Sequence, residues 1–171
     1  MPIENERKYL LSGLNPSIFR NRLVNLSVNY NSVKITQSYI VQDRKRGYVE
    51  RVRSIEYSDG LIQYILTQKI GFSEDVREIE NEIDKSQYDE YMEFFTIGNT
   101  IFKTRYNIPM HNRTKWEVDI YTGEHKGTIV AEMELPTPDT KIEFHNVLGK
   151  ESDIVDITDD VKYKNWYMAG I

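Results

Sequence analysis

Pairs of like-charged residues two positions apart recur along this chain and constrain its fold more than any other feature. They are Glu4 and Glu6 followed by Lys8, Arg51 and Arg53, Glu78 and Glu80, Lys103 and Arg105, and Glu132 and Glu134. Side chains two residues apart lie on the same face of a β-strand. Like charges on one face repel unless a ligand or a neighbouring strand of opposite sign compensates. The pattern predicts five strands with charge on one face, in a sheet curled around a polar interior.

The residues between these charges predict an apolar face on the other side of each strand. Glu117 and Asp119, for example, alternate with Trp116, Val118 and Ile120. Apolar and polar residues alternate in the same way in an antiparallel sheet with one solvent-exposed face. A single strand of this kind, taken alone, is therefore explained by solvent exposure of its charged face. The like sign within each pair, and predicted helices that can cover the apolar stripes, favour a charged interior.

The signals for strands and helices predict an α+β fold. Strand patterns lie at 2–11, 34–42, 48–57, 61–70, 76–83, 101–108, 115–122 and 128–135. Helix signals lie at Asn15 before Pro16, at Ser86 with a stop at Gly98, at Pro136 to Pro138 before Ile142, Phe144 and Leu148, and at Thr158. Strands joined by short turns are usually antiparallel, and eight of them can close around one small ligand. The prediction is an eight-stranded antiparallel β-barrel with helices packed outside, as a single domain over residues 1–171.

Composition and charge narrow the class of protein. The 171 residues carry a net charge of -5 and contain no cysteine, and they are enough for one domain with a core. An acidic balance disfavours nucleic-acid binding through the outer surface, and no apolar stretch approaches the length of a membrane span. The first residues lack the basic start and apolar run of a secretory signal. We therefore expect a cytoplasmic protein with no membrane or nucleic-acid partner.

The charged side chains suit an anionic ligand held together with a metal ion. Arginine and lysine donate to phosphate oxygens, and arginine does so with a rigid two-pronged fork. Paired glutamates suit Mg²⁺ or Mn²⁺, which take oxygen ligands. Such an ion bridges phosphate oxygens and activates a water for in-line attack. The isolated residues His111, His125 and His145 are expected at the surface or in caps, and no residue arrangement indicates covalent catalysis.

The ordered set of motifs resembles the CYTH superfamily, the triphosphate tunnel metalloenzymes. The stretch from Ile3 to Leu10 is similar to the family's Glu-x-Glu-x-Lys motif, and Gln37 to Ile40 is similar to its second strand. The other motifs follow in the family's order: Arg51-x-Arg53, Lys69, Glu78-x-Glu80, Lys103 to Tyr106, Glu117-x-Asp119, Glu132-x-Glu134 and the closing stretch from Thr158 to Asn165. Many members have an arginine where Val76 stands. Arg77 is one place off and is expected to point outward, so a phosphate contact there is missing.

The resemblance implies an eight-stranded barrel that forms a tunnel, with a role for each motif. The expected phosphate-binding residues are Lys8, Arg51, Arg53, Lys69, Lys103 and Arg105. The expected ligands of Mg²⁺ or Mn²⁺ are Glu4, Glu6, Glu132 and Glu134, with Glu78, Glu80 and Asp119 supporting the ion or the attacking water. Tyr39 is expected to contact Lys8 or the substrate. The implied catalytic set is Glu4, Glu6, Lys8, Tyr39, Glu78, Glu80 and Asp119.

The motifs do not separate the activities of the superfamily. We predict metal-dependent hydrolysis of inorganic tripolyphosphate or a nucleoside triphosphate, because Lys103 to Tyr106 and the closing stretch resemble small bacterial tripolyphosphatases. One alternative is a class IV adenylate cyclase, which converts ATP to cyclic AMP and pyrophosphate. Another is a protein that binds a phosphorylated nucleotide without turnover. The expected partner is a small molecule that contains a triphosphate, bound by a monomer or a homodimer.

Overall fold

The computed structural model describes residues 5–72 and 75–171, and its architecture is α+β. Nine strands and three α-helices follow one another in these residues. The strands are β1 (Glu6–Leu11), β2 (Asn31–Asp43), β3 (Tyr48–Tyr57), β4 (Ile62–Ile70), β5 (Arg77–Ile83), β6 (Ile97–Pro109), β7 (Lys115–Thr122), β8 (Ile129–Glu134) and β9 (Ile154–Asp156). The helices are α1 (Pro16–Asn25), α2 (Lys85–Phe94) and α3 (Asn165–Met168).

The strands form one antiparallel sheet in the order β5-β4-β3-β2-β6-β7-β8-β1-β9. The ninth strand, in which Ile154 to Asp156 pair with Leu11 to Tyr9, is not among the strands predicted from the sequence. Within the two described ranges the sheet is open, with β5 and β9 at its edges. The α+β class and the antiparallel sheet are confirmed, the strand count is nine instead of eight, and the closed barrel stays a prediction.

Contacts divide the described residues into two compact units. The first unit comprises Val33–Phe102 and Val161–Ile171, and the second comprises Asn5–Ser32 and Lys103–Asp160. Each unit carries part of the predicted set of charged residues. The prediction of a single domain over residues 1–171 stays a prediction.

The second unit has an apolar core on one side of β1, β7 and β8. Along β7, Trp116, Val118 and Ile120 are at most 3% exposed, as the alternating pattern predicts. Phe19 and Leu23, one turn apart on α1, pack into the same core. Burying one side chain of this size stabilises the fold by about 1.5–3 kcal/mol relative to leaving it exposed. The apolar layer therefore fixes the orientation of these strands, and their other face lies outside the core.

In the first unit, α2 covers one face of β3 and β4. The ring centroids of Tyr88 on α2 and Tyr64 on β4 lie 4.9 Å apart, and Tyr88 Oη lies 3.4 Å from Ser54 Oγ on β3. Arg51 and Arg53 alternate with Val52 and Ser54 along β3. The two arginines therefore point to the face of the sheet that α2 leaves uncovered.

The helix starts follow from side chains that cap them. Asn15 Oδ1 accepts a hydrogen bond from the Ile18 backbone N–H at 2.8 Å, which confirms the predicted cap of α1. The predicted cap of α2 at Ser86 is wrong. Asp84 caps this helix instead, because its side chain accepts from the Gln87 N–H while the Gln87 side chain accepts from the Asp84 N–H. This reciprocal capping box satisfies two backbone donors at once.

The predicted helix after Pro136 is wrong. Residues 141–145 have no regular secondary structure, and a 3-10 turn follows at Asn146–Leu148. Both Ile142 and Phe144 pack against the core of the second unit. Side chains two residues apart reach one surface from an extended chain, whereas a helix turns them about 200° apart. The extended course is thus the one that buries both.

Gly98 lies within β6 and does not end α2 as predicted, because the helix already ends at Phe94. Its φ of +66° is in the left-handed region, where glycine is favoured. A Cβ atom at this position would come within 2.3 Å of the Ala169 carbonyl oxygen. The glycine thus allows the backbone around α3 to approach β6 closely.

None of the helices in the described residues combines the length and apolar character needed to cross a membrane.

Candidate active site

The register of β1, β7 and β8 gathers charged side chains on one face of the second unit. Glu6 lies opposite Glu134 and Lys8 opposite Glu132, while Glu117 also lies opposite Glu132. Directly opposite residues in an antiparallel pair share a face, and the alternation of side chains leaves the apolar core on the other face. The charged face predicted from the spacing of two is therefore present in this unit.

Lys8 and Glu132 form a buried ion pair on this face. Lys8 Nζ lies 2.9 Å from Glu132 Oε1, and the Lys8 side chain is 4% exposed. Burial alone would lower the pKa of Lys8, but the negative charges of Glu132 and Glu6 outweigh it and raise the pKa. Burial alone would raise the pKa of Glu132, but the positive charge of Lys8 and its neighbours holds it well below its usual range. Both groups are therefore charged at neutral pH.

Asp119 is fully buried and binds two cationic side chains of β6. Lys103 Nζ lies 2.5 Å from Asp119 Oδ2, and Arg105 donates from Nε to Oδ1 (2.7 Å) and from Nη2 to Oδ2 (2.8 Å). Burial alone would raise the pKa of Asp119, but Arg105 and Lys103 lower it. Arg105 also donates to Glu117, which Lys115 Nζ reaches at 3.0 Å. Asp119 and Glu117 thus hold the two predicted phosphate-binding residues in place.

Glu6 and Glu134 are the carboxylates on this face that form no ion-pair contact within the described ranges, although the charge of Glu6 contributes to the raised pKa of Lys8. They lie directly opposite each other on β1 and β8, and none of the ion pairs formed by residues 5–72 and 75–171 includes either of them. Like charges directly opposite each other destabilise a sheet. A bound cation removes that repulsion, so this pair of oxygen donors suits a metal ion.

The donor chemistry of this pair fits Mg²⁺ or Mn²⁺. Mg²⁺ is usually held by one or two carboxylates together with waters and substrate phosphates, without a complete protein cage. The part of the chain that the structure describes has no group of three or more Asp, Glu, His or Cys residues placed to hold a metal ion. Glu4, the fourth predicted ligand, lies outside the described residues. Glu132 is engaged with Lys8, so its role as a ligand stays a prediction.

The first unit carries a second charged face, on β2 to β5. The register pairs Gln37 with Arg53, Tyr39 with Arg51, Arg51 with Thr67, Lys69 with Glu78, and Thr67 with Glu80. Arg51 and Arg53 are 9% and 7% exposed. Arginines are rarely this buried unless they are paired. This face therefore brings two arginines and one lysine together with hydrogen-bond acceptors from the neighbouring strands of the same unit.

Glu78 neutralises cations within the first unit. Glu78 Oε2 lies 2.5 Å from Lys69 Nζ, and Glu78 Oε1 lies 3.9 Å from Arg51 Nη2. Thr67 Oγ1 donates to Glu80 Oε1 at 3.3 Å. Arg77 is exposed and alternates with Glu78 along β5, so it lies on the opposite face, as expected. The roles of Glu78 and Glu80 toward a metal ion stay predictions.

Two residues of β2 line the charged face of the first unit, and the sequence analysis assigned a role to one of them. Tyr39 is 2% exposed and lies opposite Arg51, so its contact with a substrate stays a prediction. Gln37 belongs to the motif of the second strand but has no predicted role, although its Oε1 accepts hydrogen bonds from Arg53. Its position two residues before Tyr39 places it on the same face, and that spacing was the available signal.

The lowered pKa values predict how stability responds to acid. A carboxyl group whose pKa is lower in the folded chain stabilises it above the pKa of the unfolded chain, and loses that effect as pH falls. We therefore expect the free energy of unfolding to fall with a slope of about 1.4 kcal/mol per pH unit per group below pH 4.5, the ordinary pKa of a glutamate. Urea titrations at several pH values measure this slope. Glu132→Gln should reduce it, and an unchanged slope would contradict the lowered pKa of Glu132.

Comparisons with known proteins show what this chain is similar to. No protein-family model matches this chain. An inorganic triphosphatase of Acetivibrio thermocellus is 33% identical over 88 residues, which are 52% of this chain and 53% of that protein. The chain thus spans about half the length of the curated relative it matches.

Solved structures share the fold over most of the chain. The inorganic triphosphatase NE1496 superposes with a TM-score of 0.59 at 23% identity, covering 99% of this chain and 95% of that one. HpAC1 from Hippeastrum, a protein assigned as an adenylyl cyclase with a dominant triphosphatase activity, superposes with a TM-score of 0.56 at 16% identity. That match covers 80% of this chain and 81% of HpAC1. These likenesses agree with the α+β fold and its antiparallel sheet.

Proposed function

We propose that this chain, whose fold resembles those of the inorganic triphosphatase NE1496 and of HpAC1, is a divalent-metal-dependent triphosphatase of the CYTH superfamily, the triphosphate tunnel metalloenzymes. The observation that carries the proposal is the pair of opposed carboxylates Glu6 and Glu134, on the same face as the buried cation Lys8. A metal ion and phosphate oxygens together satisfy both signs of charge on such a face. The closed barrel of the sequence prediction is part of this proposal.

The cationic residues bind the phosphates. Arg105 makes three contacts, to Asp119 and Glu117, out of the five N–H donors of a guanidinium group, so it retains capacity for phosphate oxygens. The raised pKa of Lys8, set by Glu132 and Glu6 against the effect of burial, keeps its ammonium group charged. Charges fixed before the substrate arrives stabilise the transition state without reorganisation. In the first unit, Arg51, Arg53 and Lys69 are proposed to act in the same way.

Glu6 and Glu134, with Glu4, are proposed to hold the metal ion. When bound, Mg²⁺ or Mn²⁺ neutralises charge on the phosphate oxygens and lowers the pKa of a coordinated water. Asp119 and Glu117 orient Lys103 and Arg105, because the carboxylates fix the rotamers of both cations. Positioning and charge stabilisation supply most of the rate in phosphoryl transfer, and the chain has groups for both.

Tripolyphosphate and nucleoside triphosphates are the proposed substrates. The curated relative is named an inorganic triphosphatase, which supports tripolyphosphate. HpAC1 is assigned as an adenylyl cyclase yet has a dominant triphosphatase activity, which favours hydrolysis over cyclisation. A protein that binds a nucleotide without turnover has no evident need for the opposed glutamates. The proposed partner is thus a small triphosphate, while the cytoplasmic location and the oligomeric state stay predictions.

Separating the products formed from ATP tests the proposed reaction. With Mg²⁺ or Mn²⁺, we expect ADP and orthophosphate, or AMP and pyrophosphate, because the activated water is the nucleophile. Cyclic AMP with pyrophosphate as the main products would instead establish the cyclase alternative. ATP that is bound in calorimetry and recovered unchanged, with tripolyphosphate likewise unchanged, would establish the binding protein.

A further inference from the structure

Gln37 on β2 is a fully buried polar residue of the charged face of the first unit. It is 0% exposed and lies opposite Arg53. Its Oε1 accepts a hydrogen bond from Arg53 Nη2 at 3.0 Å and lies 3.3 Å from Arg53 Nε. Gln37 thus binds two nitrogens of the guanidinium group through a single oxygen.

This contact fixes which end of the Gln37 amide faces Arg53. A guanidinium group only donates hydrogen bonds, so the carbonyl oxygen must face it and the Nε2 group must face away. Within residues 5–72 and 75–171, the buried Gln37 Nε2 has no acceptor. Leaving a buried donor without an acceptor costs about 1–3 kcal/mol, so an amide at this position is unfavourable unless a ligand completes it.

The neighbours of Gln37 on the face indicate the chemistry of that ligand. Arg51 and Arg53 lie two residues apart on β3 and share this face, and a guanidinium group carries hydrogen-bond donors only. A ligand that accepts from Arg53 and from an amide N–H is an oxyanion with several oxygens. A phosphate group meets this description, since its oxygens spread over a tetrahedron and accept charge-assisted hydrogen bonds.

We propose that Gln37 is a substrate-binding and positioning residue: Oε1 orients Arg53, and Nε2 donates to an oxygen of the same bound phosphate. The inference rests on the proposed function, since it takes the triphosphate as the ligand. It also explains why an amide serves better here than a carboxylate. Glutamate at this position would bind Arg53 but would present a negative oxygen, instead of a donor, to the phosphate.

The test compares Gln37→Glu and Gln37→Met with Ser38→Ala as the matched control. Ser38 is the next residue, is equally buried at 1% exposed, and points to the other face, where its hydroxyl lies 2.8 Å from Thr100 Oγ1. The measurement is the Kd of inorganic tripolyphosphate by calorimetry in EDTA, which reports binding without turnover. Thermal unfolding checks that each variant is folded. If Gln37→Glu does not fold, the comparison of Gln37→Met with Ser38→Ala decides the test.

Both Gln37 variants should weaken tripolyphosphate binding by roughly 10- to 100-fold, the usual effect of a lost charge-assisted hydrogen bond, while Ser38→Ala stays within about twofold of the wild type. Wild-type affinity in a folded Gln37 variant, or an equal loss in Ser38→Ala, would overturn the inference. A wild-type chain that binds tripolyphosphate through Gln37 but never hydrolyses it would support the inference while the proposed function fails. A wild-type chain that neither binds tripolyphosphate in EDTA nor hydrolyses any triphosphate with Mg²⁺ or Mn²⁺ would overturn both.

Discussion

Asp119→Asn should lower the free energy of unfolding by about 3–5 kcal/mol, the cost of removing one partner of a buried ion pair. The side chains of Asp119 and Lys103 are both 0% exposed, and Lys103 Nζ lies 2.5 Å from the carboxylate. The substitution leaves Lys103 and Arg105 buried with one negative charge fewer. Urea unfolding at pH 7 measures the change as a shift of the midpoint.

Asp89→Asn is a matched control for this prediction. Lys85 Nζ also lies 2.5 Å from Asp89 Oδ2, but these side chains are 69% and 54% exposed. The two substitutions therefore remove the same chemical group from lysine ion pairs of equal length. The two sites differ in burial and in the additional contacts that Asp119 makes with Arg105. Solvent screens an exposed pair, so the midpoint of Asp89→Asn should match that of the wild type. Equal midpoints for the two variants would contradict the account of Asp119 as a buried counter-charge.

Glu134→Gln should lower metal-dependent turnover at least hundredfold, yet leave the metal-free chain as stable as the wild type or more so. Glu134 lies opposite Glu6, and removing one of two opposed like charges relieves a repulsion of roughly 0.2–1 kcal/mol. The same change removes an oxygen ligand of the proposed metal ion. Orthophosphate release from tripolyphosphate, and urea unfolding in EDTA, measure the two effects.

Glu56→Gln separates the loss of a ligand from the general loss of a surface carboxylate. Glu56 is exposed on β3 and lies 3.8 Å from Lys34 Nζ, and it points away from the face of Arg51 and Arg53. Its substitution should leave turnover unchanged. If Glu134→Gln retained wild-type turnover, or if Glu56→Gln lost as much, Glu134 would not be a metal ligand.

The sequence was sufficient to predict most strands because their two faces differ in chemistry. Alternation of charged and apolar residues places the ends of β3 at Tyr48 and Tyr57 and of β7 at Lys115 and Thr122, as the structure has them. The segment after Pro136 was misassigned, since its apolar residues reach the core from an extended chain. The short β9 was missed because its three residues are specified by pairing with β1 more than by their own pattern.

The sequence was sufficient to predict which charged residues belong to the candidate site. It was not sufficient to predict which of them contact one another. Spacing of two says that Lys103 and Arg105 share a face, whereas it says nothing about which residue faces them across strands. Asp119, 14 residues from Arg105, binds both, and only the packing of the strands reveals it. The same holds for Gln37, whose contact with Arg53 depends on the register of β2 and β3.

The metal-dependent release of orthophosphate from tripolyphosphate by the wild-type chain tests the central claim most directly. In EDTA, the chain should release no orthophosphate. Glu6 and Glu134 are proposed as ligands only, and without the metal ion no water is activated. Addition of Mg²⁺ or Mn²⁺ should start turnover that continues over many substrate molecules per chain. No release above the Glu134→Gln background with either metal ion, from tripolyphosphate or from any other triphosphate, would contradict the proposal.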